Sequence, residues 1–93
     1  DRPEVHKLVA RIKGILVART YAMIEYDIPR ASVEAACRIT PGIEAPTVSP
    51  LSNPDWVAVK AMVLCKQCNG IMDELYEIGA RGIIVTDIRS CRL

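Results

Sequence analysis

Glu25 and Asp27 stand two residues apart in Tyr21-Ala22-Met23-Ile24-Glu25-Tyr26-Asp27-Ile28. On a strand, that spacing sends both carboxylates out of one face. Paired carboxylates do acid–base chemistry when a partner group stands beside them. The sequence offers no such partner. His6, the one histidine, falls among polar neighbours in a helical stretch and reads as a solvated surface residue. Gly79-Ala80-Arg81-Gly82 lacks the spacing of a phosphate-cradling fingerprint. Cys65 and Cys68 form a CxxC, but a zinc site needs a second pair, and Cys37 and Cys91 stand alone. A redox pair would sit on a strand-to-helix turn, about where this one lies. The plainer reading is four small thiols in a reducing cytosol. The chain therefore reads as a binder and not a catalyst. Asp27, at a strand end, can accept from a ligand N–H, a bond worth about 1.5–3 kcal/mol when charge-assisted. Thr47, just after Pro46, offers a hydroxyl and an amide at a sheet edge. The alternatives are a turn aspartate before Pro29 and a threonine chosen for strand propensity.

The elements that must position these residues follow from periodicity. Pro3 to Arg19 is helical, with Val5, Leu8, Val9, Ile12, Ile15 and Leu16 on one side and Lys7, Arg11 and Lys13 opposite. Tyr21 to Ile28 is a strand ended by Pro29. Arg30 to Ile39 is a short helix with Ser32 placed to cap it. Pro41-Gly42 is a turn, because proline presets one φ and glycine permits a positive one. Pro46 and Pro50 flank a short strand, Thr47 to Leu51, that belongs at an edge because proline has no N–H to donate. Trp56 to Leu64 alternates: Trp56, Ala58, Lys60, Met62 and Leu64 against Val57, Val59, Ala61 and Val63. Gln67 to Ile78 is an amphipathic helix with Ile71, Met72, Leu75, Tyr76 and Ile78 inward, and Gly79 ends it. Gly82 to Ile88 is the last strand.

The order after the first helix is βαββαβ. It predicts an α+β, ferredoxin-like fold: a four-stranded antiparallel sheet with two helices on one face. The first helix, residues 1–19, links to or covers this domain, residues 20–93. The other sheet face needs a cover, either that helix or another subunit. Composition limits the function classes. The 93 residues suffice for one core, 51% are apolar and none is phenylalanine. A net charge of +1 with interleaved signs argues against a nucleic-acid platform. The apolar runs, Gly14 to Ala18 among them, are far short of a membrane span. The chain opens at Asp1 inside a helix, so an upstream part is expected.

Specific strings then point to a family. Ile39-Thr40-Pro41-Gly42, Ala45-Pro46-Thr47-Val48-Ser49-Pro50-Leu51, Asp55-Trp56-Val57-Ala58-Val59, Ile71-Met72-Asp73-Glu74-Leu75 and Thr86-Asp87-Ile88-Arg89-Ser90-Cys91-Arg92-Leu93 resemble the carboxy-terminal end of long-form ATP phosphoribosyltransferases of the actinobacterial type. The resemblance covers nearly the whole chain. It implies a PII-like regulatory module of a cytoplasmic, magnesium-using glycosyltransferase, the first enzyme of histidine biosynthesis, whose catalytic domains lie upstream. It implies L-histidine as the feedback inhibitor and other copies of the chain as partners, in dimers and a hexamer. By resemblance, Asp27 and Thr47 make polar contacts with histidine, and Ile43, Ala45, Met62 and Gly82 line the pocket. The Cys65–Cys68 pair has no place in the family's pattern.

Overall fold

Alternation decides which side of the sheet each residue takes. In β1 (Tyr21–Pro29), Ala22, Ile24, Tyr26 and Ile28 are buried, while Met23, Glu25 and Asp27 between them stay partly open. In β3 (Trp56–Leu64), Val57, Val59, Ala61 and Val63 are buried, and Lys60 lies on the opposite face. A two-residue period sends successive side chains to opposite faces, so each strand divides into a core set and an open set.

The computed structural model describes residues 2–93. Helix α1 (Pro3–Thr20) runs straight into β1, and a 3₁₀ turn (Arg30–Ser32) leads into α2 (Val33–Ile39). After β2 (Thr47–Pro50) and β3, a second 3₁₀ turn (Cys65–Gln67) opens α3 (Cys68–Glu77), and β4 (Arg81–Asp87) completes the sheet. The strand order is β2-β3-β1-β4, all antiparallel, which is the ferredoxin-like arrangement expected from the element order. Ala36 of α2 with Cys68 and Leu75 of α3 pack on the buried strand residues, so both helices lie on one face. Fully burying an aliphatic side chain such as Ile24, Ile28 or Leu75 stabilises by about 1.5–3 kcal/mol.

Edges and ends behave as their residues dictate. β2, with Pro50, is an edge strand, exposed along its length. Gly42 and Gly79 take positive φ, 72° and 102°. At Gly79, α3 closes with paired bonds, Gly79 N to Tyr76 O at 3.1 Å and Ala80 N to Leu75 O at 2.9 Å, which satisfy two of its last carbonyls.

Several expectations need correction. Ser32 precedes α2 but its side chain makes no capping bond; the preceding 3₁₀ turn carries the chain into the helix instead. Tyr76 is not inward: it is 58% exposed, with the Arg81 guanidinium 3.9 Å above its ring. The last strand starts at Arg81 and stops at Asp87, one residue early at each end. Helix α1 does not cover the open sheet face: Val5, Leu8, Val9, Ile12, Ile15 and Leu16 remain 42–57% exposed, and only Gly14 and Ala18 are buried. No helix among the described residues is long and apolar enough to cross a membrane.

Candidate functional site

All four strands and one bulge build the candidate site on the sheet face that carries no helix. The β1–β3 register sets Asp27 opposite Ala58, Glu25 opposite Lys60 and Met23 opposite Met62. The β2–β3 register sets Thr47 opposite Lys60 and Ser49 opposite Ala58. On the far side, the β1–β4 register slips between Glu25 and Asp27: Glu25 pairs with Ile84 but Asp27 with Arg81. Tyr26 alone therefore opposes Gly82 and Ile83. This is a β-bulge, and Gly82 adopts a φ of +61° there. A Cβ on Gly82 would lie 3.8 Å from the Asp27 Oδ2 atom.

The result is a trough of about 440 Å³. Ala58 and Gly82, with little or no side chain, leave its floor low, and Glu25, Lys60, Thr47, Ser49, Asp27 and Ile84 surround it. Asp27 is half-buried, and its carboxylate has no hydrogen-bond or ion-pair partner among the described residues. Thr47 and Asp27 lie on either side of β3, two inter-strand spacings apart and offset by two residues along it, a separation of about 12 Å. They can grip different ends of a small molecule but not one atom of it.

A second trough of about 580 Å³ adjoins the first. Ile43, Glu44, Ala45, Met23, Met62 and the tail Cys91–Leu93 line it, together with Thr47 and Lys60. The six residues singled out from sequence are thus divided. Asp27, Thr47 and Gly82 share the first trough; Ile43, Ala45, Thr47 and Met62 share the second. Only Thr47 belongs to both. The row between them holds the Glu25–Lys60 ion pair, 3.3 Å long with both side chains about half exposed.

Lys60, Ser49 and Ile84 were not singled out from sequence. Lys60 is the one charged residue in β3, which marks it, but its place beside Glu25 and Thr47 depends on two pairing registers that no local pattern reveals.

Behind the trough, the phenol of Tyr26 lies 2.7 Å from Thr40 Oγ1. The Thr40 hydroxyl donates to the Ala36 carbonyl at 3.2 Å, so Tyr26 donates to Thr40. Burial pushes the Tyr26 phenol above its ordinary value. Thr40 begins the turn into Ile43–Ala45, so β1 anchors the loop that walls the second trough. The cysteines do other work. Cys68 is buried and its thiol donates to the Leu64 carbonyl at 3.6 Å. Burial, with Cys65 and Asp87 nearby, pushes the Cys68 thiol up, which disfavours the nucleophilic thiolate. All four cysteines are free thiols. Among the described residues, no three His, Cys, Asp or Glu side chains gather as metal ligands would.

This geometry defines a ferredoxin-like domain with a bare, polar-lined sheet face. The chain belongs to the HisG C-terminal domain family, whose family model matches residues 18–90. It is 59% identical over 93 residues to a protein of Salinibacter ruber named ATP phosphoribosyltransferase, covering all of this chain and 33% of that protein. Proteins of the same name from Streptomyces coelicolor (55% over 91 residues) and Pseudarthrobacter chlorophenolicus (54% over 90 residues) match 98% and 97% of this chain and 32% of their own lengths. The chain thus spans about a third of the length of these curated relatives.

Proposed function

We propose that the chain is the regulatory domain of an ATP phosphoribosyltransferase and that it binds free L-histidine on the open sheet face. The parent enzyme would join ATP to phosphoribosyl pyrophosphate with release of pyrophosphate, the first step of histidine biosynthesis, in the cytoplasm. Its catalytic site and its magnesium would belong to the rest of the enzyme, and this segment would carry the feedback signal. The observation that carries the binding site is the Asp27 carboxylate, half-buried beside the Gly82 bulge and without a partner among the described residues. A carboxylate so placed is satisfied by a ligand N–H, and histidine offers an ammonium and an imidazole. Thr47 would hold the other end, with Ile43, Ala45 and Met62 against the imidazole side. Asp27→Ala and Thr47→Ala are each expected to weaken histidine binding by one to two orders of magnitude, roughly 1.4–2.8 kcal/mol, with the fold intact. Calorimetric titration of the chain and both variants is the check; unchanged affinity in both overturns the assignment.

The second reading is assembly. The bare sheet face, the exposed edge strand β2 and the apolar side of α1 are surfaces that a further copy of the chain would cover, and dimers and a hexamer are the assemblies in view. Histidine inhibits at a distance only if it binds one assembly state better than another. The resulting coupling is typically about 1–3 kcal/mol. Sedimentation with and without L-histidine separates the two readings, because pure assembly is indifferent to the amino acid.

A further inference from the structure

Lys60 borders both troughs, and of the residues lining the Asp27 trough it is the one cation. Its ammonium rests on Glu25 at 3.3 Å, with both side chains about half in water. An ion pair this exposed is weak, and its members change partners readily. Glu25 and Asp27 share the face, so a ligand entering between them meets two carboxylates. A free carboxylate is repelled there unless a cation answers it. A plain amine needs only Asp27. An amino acid carries both charges on one carbon and needs a cation as well.

We propose that Lys60 is the specificity-determining residue of this site. It leaves Glu25 on ligand binding and takes the α-carboxylate of the amino acid, while Asp27 holds a ligand N–H. Glu25 is then a competitor that keeps Lys60 satisfied in the empty trough. The exchange replaces one carboxylate by another on the same ammonium, so the trough admits zwitterions with little reorganisation. The inference rests on the reading of the trough as a histidine site.

The test compares L-histidine with histamine, which lacks the carboxylate, by calorimetric titration of the full chain. Lys60→Gln is expected to weaken L-histidine about tenfold and to change histamine less than about twofold, and Lys60→Arg to restore L-histidine binding. Glu25→Gln is expected to tighten L-histidine about threefold, because Lys60 is no longer shared, and to give histamine no gain. Raising the salt concentration should weaken L-histidine binding more in the native chain than in Lys60→Gln. Equal loss of both ligands in Lys60→Gln, or loss of neither, overturns the proposal. The two failures are distinguishable. If the native chain takes up no L-histidine, the site reading itself falls. If Asp27→Ala weakens L-histidine and Lys60→Gln does not, only the role of Lys60 falls.

Discussion

Tyr26 faces away from the site and yet fixes one of its walls. It lies between Glu25 and Asp27 on β1, 2% exposed, and its hydroxyl reaches Thr40 across 14 residues of sequence. Tyr26→Phe removes the donor and leaves the Thr40 oxygen short of one bond, at a cost of about 1 kcal/mol. Urea unfolding measures it. The same residue carries a pH dependence. Burial raises the phenol above its ordinary 10.0, so the folded state holds the proton more tightly than the unfolded chain. Its contribution is complete below about pH 10 and is lost as pH rises through the folded value. The alkaline fall in stability should therefore be shallower in Tyr26→Phe than in the native chain, as urea midpoints between about pH 8 and pH 11 would record. Sequence alone places Tyr26 in a strand. Strand alternation assigns it to the inward set with Ile24 and Ile28, but the hydroxyl's partner is a tertiary fact. The site shows the same limit. Asp27 and Thr47 stand out by type and position, whereas the grouping of Thr47 with Lys60 and Glu25 exists only once three strands are aligned.

At the scale of elements, what was legible is what repeats. The two-residue period of β1 and β3, the prolines around β2 and the terminating Gly79 lead to the observed sheet and its order, because each is a local steric or hydrogen-bonding demand. Bulges and close approaches arise between elements, so they were not readable. Gly82 is the first case. Its φ of +61° lies where an L side chain costs about 1–2 kcal/mol, so Gly82→Ala should lower stability by about that amount and flatten the bulge beside Asp27. Loss of L-histidine affinity beyond the stability change would tie the bulge to the proposed site. Gly14 is the second case. In a helix it reads as a defect of about 1 kcal/mol against alanine. In the fold it is where the tail crosses α1: the Cys91 amide donates to the Gly14 carbonyl at 3.1 Å. A Cβ there would stand 3.0 Å from both the Cys91 carbonyl oxygen and Ser90 Oγ. Gly14→Ala should favour the helix and displace the tail together. Hydrogen exchange is the discriminating measurement: the Cys91 amide should lose protection while the β1 and β3 amides keep theirs.

The molecule as a whole is elongated, and α1 is the reason. A compact chain of this length has a radius of gyration of about 12 Å, against 15.6 Å here, with extents of 52 × 25 × 18 Å. An 18-residue helix is about 27 Å long, and α1 leaves its apolar side in solvent for most of that length. Gly14 and Ala18 are its buried residues, and Ala10, Lys13 and Val17 line a groove with the tail. The family model begins at residue 18, where the helix enters the core. A sheet domain and a helical arm with an exposed apolar side therefore meet near Gly14. Removing residues 1–12 should cost the sheet domain less than about 1 kcal/mol in urea unfolding, because no buried side chain is lost. It should also reduce self-association in sedimentation, because the arm's apolar side is removed. A loss of several kcal/mol would mean that α1 and the sheet unfold as one body. The assembly reading would then have to rest on the bare sheet face and the β2 edge alone.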